Sequence, residues 1–483
     1  MAVSHCPATP GALHDATCNG VRPRRMAAAA ATALACLIGI GAAPLAQARS
    51  PGLHPETVPY VTQPGDTLYD VAQRYLGDMR HWRVLARLNR VSAPRQLRPG
   101  TSLRLPVALL RREALTARIV AMSGQVARLF GNTPPVPVVD GASFTEGDRV
   151  STGADGFATF ELVDGTHVSL PPNSTLQFGR LQRTVLTERT ERIFNLQRGE
   201  VDSEVTHAKH PGDRFEIHAP SIVAGVRGTH FRVNYDASAT QVEVLDGTVA
   251  VDATHGAAGH QRAGGGAADP DEAASQLVPA RYGSVTRASG GVGAPVPLLT
   301  PPELVEPAKV QGAAQVAFDL TPLPGARRYR VQIARDADLL DLIREVRVDA
   351  PHATFDGIPD GTYFVRMSAI DADGLEGLPH VYAFERRQSS LMATASQVAG
   401  TRDYEFRWLA NRAGVTTTHY RFVLSRHADL REPVVDTVDL SSSRIVVANL
   451  KAGTYYWTVV AEQFENGRFY ETTSPVRSFT LAH

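Results

Sequence analysis

Four histidines are the side chains of this sequence that most readily point to chemistry, because imidazole is the commonest protein ligand for metal ions. They are His207, His210, His218 and His230. A helix-borne zinc motif needs two histidines four residues apart with a glutamate beside the first, and these histidines do not have that spacing. No acidic partner recurs beside them. We therefore predict surface or hydrogen-bonded strand histidines here, and no metal-binding or catalytic residue.

Cysteine chemistry is restricted to the start of the chain. The sequence has three cysteines, Cys6, Cys18 and Cys36. A chain that began at residue 49 would contain none of them. Such a chain could form no disulfide, no thiolate metal site and no cysteine nucleophile.

The first 48 residues have the pattern of a secretory leader. A basic stretch ending at Arg25 precedes an apolar run over residues 27–43, and Ala46-Gln47-Ala48 follows it. This order is typical of a signal peptide, so we expect one over residues 1–48, with cleavage after Ala48. The long stretch before the apolar run leaves the true start codon open.

The composition limits the remaining function classes. A length of 483 residues predicts several domains. Lys+Arg and Asp+Glu both number 49, so the formal net charge is zero and gives no overall attraction to nucleic acid. No further apolar run has the length of a bilayer crossing, so we expect no membrane span after the leader.

Residues 58–107 carry strand and helix signals in the order strand, helix, helix, strand. After a short extended run, Asp66 or Thr67 can cap a helix. The apolar residues of two helices recur at helical spacing: Leu68, Val71, Ala72 and Tyr75, then Trp82, Leu85 and Leu88. Pro99-Gly100 then turns the chain into a closing strand over residues 102–106. The pattern predicts a small βααβ module.

Three motifs of this module, PGDTL at 64–68, LNR at 88–90 and LRPGTSLRLP at 97–106, resemble the LysM domain. That resemblance implies binding of N-acetylglucosamine polymers, such as peptidoglycan, in a shallow groove between two loops. Carried over by motif, the groove residues are Gly65, Asp66, Thr67 and Leu68 on one side, and Asn89, Arg90 and Val91 on the other.

The same residues also have a purely structural interpretation. Asp66 and Thr67 can serve only as helix caps, and Leu68 can serve only as a core residue. The module also carries eight arginines against three aspartates. That excess could attract anionic wall polymers, or it could be a solvated helix face.

Residues 117–253 alternate apolar and polar side chains in short runs separated by tight turns such as Asp164-Gly165 and Asp246-Gly247. Alternation with DG turns predicts an antiparallel all-β domain. The motifs GDRVSTG at 147–153, LQRGEV at 196–201 and AGVRGTHF at 224–231 resemble the FecR domain. In founding members of that family, the domain relays a signal from an outer-membrane receptor to a cytoplasmic sigma factor. Arg227, within the last motif, is expected to pair with a carboxylate of the domain or to contact a partner.

The remainder consists of a linker and a repeat. Residues 254–307 are rich in Gly, Ala and Pro and predict a linker, within which the short piece 278–283 can still return to the β-domain. Residues 308–388 and 396–483 each contain an alternating strand and a GTY turn into an aromatic strand, which predicts two β-sandwiches. They resemble fibronectin type III domains. We expect their prominent aromatic residues to be core or corner residues: Trp408, Trp457, Tyr363 and Tyr455.

Together these patterns predict a multidomain, mainly β, exported protein of the periplasm, the cell envelope or the exterior. The first hypothesis is a non-enzymatic envelope protein, without a cofactor, that binds peptidoglycan through LysM. Its other domains would then serve as a scaffold for an envelope protein partner. The alternative is a FecR-type periplasmic sensor in transmembrane signalling to a sigma factor. A wall-remodelling enzyme would need a catalytic constellation, which the sequence does not offer.

Overall fold

The protein is mainly β, as the sequence predicts. The computed structural model describes residues 56–131, 133–254, 275–287, 291–306, 309–411, 417–465 and 467–482. Strands account for 53% of the structure and helices for 6%. The predicted signal peptide lies outside the described residues. Within the described residues, no helix has both the length and the apolar composition needed to cross a membrane.

The N-terminal module has the predicted βααβ order. Its elements are β1 (Thr57–Val61), α1 (Leu68–Leu76), a 3-10 helix (Met79–His81), α2 (Trp82–Asn89), β2 (Ser102–Pro106) and a second 3-10 helix (Val107–Leu109). Strands β1 and β2 pair antiparallel. Leu68, Val71 and Leu85 are fully buried between the helices and this two-stranded sheet.

The FecR-like region consists of strands joined by hydrogen bonds into one closed array. They are β3 (Arg112–Ala114), β4 (Ala117–Ser123), β5 (Val126–Leu129), β6 (Val136–Pro137), β7 (Ser143–Phe144), β8 (Arg149–Thr152), β9 (Phe157–Leu162), β10 (His167–Leu170), β11 (Thr175–Thr184), β12 (Thr190–Glu204), β13 (Arg214–Ala219), β14 (Ile222–Val226), β15 (His230–Tyr235), β16 (Ala239–Asp246), β17 (Thr248–Ala253), β18 (Gln276–Pro279), β19 (Tyr282–Arg287) and β20 (Val296–Pro297). The long strand β12 pairs with β11 through one half and with β15 through the other.

A row of buried phenylalanine rings forms the centre of this region. Neighbouring ring centroids are 5.2 to 6.3 Å apart along the row Phe144, Phe160, Phe178, Phe194, Phe215 and Phe231. Edge-to-face and offset arrangements of this kind add to the stabilisation that burial already provides. The alternation read from the sequence therefore places one face of each strand in a single core.

Two details differ from the expected antiparallel domain and linker. Strands β12 and β13 pair in parallel, because the chain crosses over between them instead of turning back in a hairpin. Part of the predicted linker is strand: β18 pairs with β17, and β19 pairs with β16. Residues 278–283 thus return to the β-domain, which is the alternative that the sequence left open for this piece of the linker. The outer domain boundaries remain predictions.

Two β-sandwiches follow. The first contains β21 (Val310–Gln311), β22 (Val316–Asp319), β23 (Arg328–Ala334), β24 (Leu342–Val348), β25 (His352–Phe355), β26 (Gly361–Ile370) and β27 (His380–Arg386). The second contains β28 (Leu391–Gln397), β29 (Tyr404–Ala410), β30 (Thr417–Ser425), β31 (Val435–Leu440), β32 (Arg444–Val447), β33 (Gly453–Glu465), β34 (Arg468–Thr473) and β35 (Arg477–Leu481). In each sandwich a smaller and a larger sheet enclose one hydrophobic core.

The expected roles of the aromatic residues are confirmed. Trp408, Trp457 and Tyr363 lie in the sandwich cores and are nearly inaccessible to solvent. Tyr455 is also buried, and its hydroxyl donates to the carbonyl of Lys451 at 2.8 Å. This contact is a tyrosine corner of the kind found in immunoglobulin-like sandwiches.

A set of buried charged residues joins the FecR-like region to the first sandwich. We call it the interdomain charge cluster: Glu200, Asp202, Arg232 and Glu243 on one side, and Arg330, Glu345, Arg347, Arg366 and Glu376 on the other. The fully buried Arg330 donates to Glu200 at 2.5 Å, to Glu376 at 2.6 Å and to Glu345 at 2.7 Å. Phe157 packs on Ala334 and Leu342 beside the cluster. The two domains are therefore joined by desolvated ion pairs as well as by apolar contact.

Removing one member of this cluster should cost far more than removing an exposed arginine from the same strand. Arg330→Met leaves three buried carboxylates without their shared partner, so we expect a loss of about 3–5 kcal/mol in the free energy of unfolding. The control is Arg328→Met on β23, whose exposed pair with Asp349 contributes about 1 kcal/mol or less. Urea unfolding followed by circular dichroism measures both variants. Equal losses would contradict the importance of the cluster.

Candidate functional site

The first predicted site segment forms a rigid turn between β1 and α1. Gly65 is exposed and has φ of 89°, in the left-handed region that glycine adopts without strain. Asp66 is 7% exposed, and its Oδ2 accepts from the Tyr60 hydroxyl at 2.6 Å and from the Gln63 backbone N–H at 2.7 Å. The Asp66 carboxylate therefore shapes the turn from inside and does not point to solvent.

Burial and the hydrogen bond to Asp66 raise the pKa of Tyr60. The phenol consequently keeps its proton, and keeps donating to Asp66, throughout the neutral range. The sequence offered no specific signal for this contact, because Tyr60 and Asp66 meet through their side chains.

Thr67 and Leu68 are occupied by the helix that follows. The Thr67 side chain caps α1 by accepting from the Asp70 backbone N–H at 3.1 Å. The Leu68 side chain is fully buried in the core of the module. Both residues therefore have the structural role that the sequence allowed. Leu68 has no exposed surface and Thr67 is half-buried, so of these two residues only Thr67 can reach a ligand.

Asn89 joins the second predicted segment to the closing strand. Its amide nitrogen donates to the carbonyls of Leu85 at 3.0 Å and Arg104 at 2.9 Å, and its Oδ1 accepts from the Arg104 N–H at 2.7 Å. This pattern fixes the end of α2 against β2. The Asn89 side chain is a structural clamp.

Arg90 and Val91 follow directly. Arg90 is exposed and has φ of 55°, which ends α2 in the left-handed conformation. Val91 is half-buried against the core, and its N–H donates to Ala86 at 3.0 Å. Among the predicted site residues, Gly65 and Arg90 are the two whose position is exposed.

The structure brings the two predicted segments together through a residue that the sequence analysis missed. The Leu68 N–H donates to the carbonyl of Pro94 at 2.9 Å, so the loop after α2 lies directly against the start of α1. A proline in a loop gives no sequence signal for a carbonyl contact of this kind. The arrangement is a shallow junction of two loops with backbone groups and one exposed guanidinium, which suits an uncharged, hydroxyl-rich ligand.

The histidines of the middle region are engaged in hydrogen bonds or packing. His218 contacts Glu216 at 2.8 Å, and His230 contacts Asp202 at 2.9 Å. In the part of the chain that the structure describes, no three His, Cys, Asp or Glu residues are grouped to hold a metal ion.

Gly228 explains part of the AGVRGTHF motif. It has φ of 77°, and a Cβ there would lie 2.7 Å from the His207 ring.

The expected pairing of Arg227 with a carboxylate is not observed. Arg227 is exposed at the end of β14 and makes no ion pair with any described residue. The neighbouring Val226 and Gly228 take the buried positions. A partner contact remains the alternative for this residue.

Comparison with known families identifies two of these regions. Residues 60–106 match the family model of the LysM domain, and residues 148–250 match that of the FecR protein. The chain therefore contains a LysM domain and a FecR domain, as its motifs predict. Domains of these families are typically non-catalytic and are typical of bacterial envelope proteins. LysM supports binding of N-acetylglucosamine polymers, and FecR supports an envelope protein partner.

Solved structures give more distant likenesses. A candidate anti-sigma factor from Parabacteroides distasonis is 18% identical, with a TM-score of 0.23, over 31% of this chain and 59% of that one. A two-domain fibronectin type III segment of chicken tenascin is 14% identical over 38% and 99% of the chains, with a TM-score of 0.20. Fibronectin(III)-like modules of CbhA from Clostridium thermocellum are 14% identical over 37% and 92%, with a TM-score of 0.20. A comparison with curated protein sequences gives no match.

The Asn89 clamp can be tested separately from binding. Asn89→Ala removes three hydrogen bonds, two of which join α2 to Arg104 of β2, so the local opening free energy of β2 should fall by about 1–3 kcal/mol. Hydrogen–deuterium exchange of the peptide covering residues 102–106 measures this directly. Gln96→Ala, an exposed amide in the same module, should leave that exchange unchanged. Unchanged exchange in the Asn89 variant would show that the clamp is dispensable.

Proposed function

We propose that this chain is a non-enzymatic cell-envelope protein that binds peptidoglycan, or another N-acetylglucosamine polymer, through its LysM domain. The observation that carries the proposal is the LysM match over residues 60–106, together with the contact between Leu68 and Pro94 that joins the two predicted binding loops. The binding surface in this proposal comprises Gly65, Thr67 and the loop after α2 with Arg90 and Val91, and the buried Asp66 and Leu68 shape the turn from inside. Asn89 supports this surface from behind.

The chemistry of the junction fits a neutral polymer. Sugar hydroxyls and N-acetyl groups pair with backbone N–H and C=O groups, which a turn presents in fixed positions. A contact of this small size leaves little free energy after the costs of association, so we expect weak affinity per module. On a polymer with many equivalent sites, weak contacts still retain the protein, because every dissociation leaves other sites close by.

The remaining domains serve as a scaffold for another envelope protein in this proposal. The FecR domain and the first sandwich share the interdomain charge cluster, so a partner would meet a preformed surface. The families of the matched domains are typically non-catalytic, which favours a scaffold. Export by the predicted signal peptide would place the protein in the periplasm, the envelope or the exterior.

A FecR-type sensor is the second candidate, favoured by the match over residues 148–250. In that case a membrane-spanning partner would have to carry the signal inward to a sigma factor. The exposed and unpaired Arg227 in the AGVRGTHF motif is the partner contact that this candidate would use. Co-purification from envelope extracts separates the two candidates. Recovery of a membrane-spanning anti-sigma partner that Arg227→Ala abolishes supports the sensor, and its absence supports the scaffold.

The binding surface can be blocked at one chosen position, because residues 49–483 contain no cysteine. Arg90→Cys and Arg80→Cys change the charge equally at exposed sites, but Arg90 directly follows α2 whereas Arg80 lies in the 3-10 helix before it, so the length of α2, roughly 12 Å, separates them. After coupling to a bulky maleimide, the Arg90→Cys protein should lose its retention on isolated peptidoglycan sacculi, and the Arg80→Cys protein should keep it. Sedimentation with sacculi measures both. Equal retention would place the binding surface elsewhere.

A further inference from the structure

A polar cavity lies between the FecR domain and the first sandwich, next to the interdomain charge cluster. Its volume is about 180 Å³, which is larger than the space of a single water molecule. Residues of both domains line it, among them Gln241 and Glu243 from β16, and Glu376 and Gly374 from the loop after β26. The cavity is separate from the LysM surface, and neither family match assigns it a ligand.

The first feature of this cavity is a buried carboxylate that forms no ion pair with a described residue. The interdomain charge cluster holds five carboxyl groups, Glu200, Asp202, Glu243, Glu345 and Glu376, and four guanidinium groups, Arg232, Arg330, Arg347 and Arg366, and His230 also contacts Asp202. Glu243 is the carboxylate without an ion pair among the described residues. It accepts only the Glu376 backbone N–H, at 3.2 Å. A buried carboxylate in this position is costly unless a cation or a proton neutralises it.

The second feature is an unused hydrogen-bond acceptor. Gln241 is 4% exposed and lines the cavity, and its Oε1 has no hydrogen-bond partner among the described residues. A buried polar atom without a partner costs about 1–3 kcal/mol, which a bound donor would recover. Glu243 therefore lacks a cation of its own when it is ionised, and Oε1 of Gln241 lacks a hydrogen-bond donor among the described residues.

The nearby arginines supply neither a cation for Glu243 nor a donor for Gln241, because other carboxylates already hold them. Arg347 donates to Glu200 at 2.6 Å and to Glu345 at 3.0 Å, and Arg328 donates to Asp349 at 3.0 Å. A metal ion is a poor candidate, because the described residues hold no group of three or more ligating side chains. Water would donate hydrogen bonds but would leave the ionised Glu243 carboxylate without a counter-charge. A primary ammonium group supplies both, since it carries one charge and three N–H donors.

We propose that this cavity binds a small organic cation with a primary ammonium group, which pairs with the Glu243 carboxylate and donates to Oε1 of Gln241. The ligand would bridge the FecR domain and the first sandwich, because Glu376 and Gly374 of the sandwich form the opposite wall. With this site, a small ligand would bind at the contact between the two domains of the scaffold. The site does not depend on glycan binding.

The neighbours of Glu243 make this binding depend on pH. Burial raises the pKa of Glu243 to about 8: Arg232 opposes the rise, and the carboxylates of Glu376 and Glu200 reinforce it. The pKa of Glu376, in contrast, lies well below its usual range, because Arg232, Arg330 and Arg347 outweigh its burial. Glu243 is therefore mostly protonated at neutral pH and must lose its proton to pair with an ammonium ion. Affinity should rise as the pH rises through about 8.

Calorimetry with ethylammonium on the purified protein tests the site. We expect saturable heat whose association constant increases about tenfold between roughly pH 7 and pH 9, following the ionised fraction of Glu243. Tetramethylammonium has the same charge but no N–H donor and should bind at least several-fold more weakly. No saturable heat with ethylammonium, or equal binding of the two ions, would overturn the proposal.

Variants identify the groups responsible. Glu243→Gln should abolish ethylammonium binding, and Gln241→Met should weaken it several-fold. Asp236→Asn is the matched control: its carboxylate lines the same cavity but already accepts the backbone N–H groups of Ser238 and Ala239. Binding within about twofold of wild type is expected for that control. Binding that survives Glu243→Gln would refute the assigned site.

Glu243→Gln should fold normally, because it resembles the protonated carboxyl group that the wild-type protein already contains at neutral pH.

Glu243 should also make the stability of the folded protein depend on pH. Its pKa is higher in the folded chain, about 8, than the ordinary 4.5, so the folded state holds an extra proton between these values. Wild-type stability should fall as the pH rises across this window. The unfolding temperature should decrease from pH 5 to pH 9 more in wild type than in Glu243→Gln. Parallel decreases would mean that Glu243 is not buried as described.

Discussion

The interdomain charge cluster is the interaction on which the arrangement of the central domains depends. Arg330 and Arg232 are almost completely buried, and both contact Glu376 from the loop after β26. Ion pairs in a desolvated interface are sensitive to geometry, because displacing either domain would leave charges buried without partners. The cluster therefore specifies one mutual position of the FecR domain and the first sandwich. The apolar contact of Phe157 with Leu342 alone would do so less strictly.

Further contacts extend this arrangement in both directions. Towards the N-terminus, Leu110 is buried in the LysM core, and Leu186 of the β11–β12 hairpin packs against the same core. Towards the C-terminus, Arg387 of the first sandwich donates to Glu465 at 2.6 Å and lies 3.7 Å from the centre of the Tyr470 ring. The loops that carry the proposed glycan surface are thus part of a module held against the β-rich remainder. Binding to a wall polymer would in this way fix the position of the surfaces that a protein partner meets.

Local patterns predicted the fold well. The DG turns at Asp164-Gly165 and Asp246-Gly247 have their glycines at φ of 81° and 85°, as a tight strand connection requires. Helical spacing identified α1 and α2, and alternation with DG turns identified the FecR domain as all-β. For β18 and β19 the sequence left open only that residues 278–283 return to the domain, because each strand is short and lies within a Gly/Pro-rich stretch. Their identity depends on pairing with β17 and β16, which is a tertiary property.

The sites were less accessible to sequence reasoning. Motifs located the two LysM loops, but they could not separate the clamp Asn89 from the exposed Arg90, since that distinction depends on contacts with β2. The charge cluster gave no signal at all. Arg330 and Glu200 are 130 positions apart in the chain, and a charged residue within an alternating strand ordinarily indicates the solvent face. Only the packing of two sheets against each other buries both.

Attachment to an amino-sugar polymer through the junction of the β1–α1 turn and the loop after α2 is the central claim. Titration calorimetry of the purified protein with N-acetylglucosamine oligomers or muropeptides tests it most directly. We expect weak, saturable heat at millimolar ligand that increases with oligomer length. No heat at these concentrations, with the LysM module shown to be folded, would contradict the assignment of this domain as the anchor.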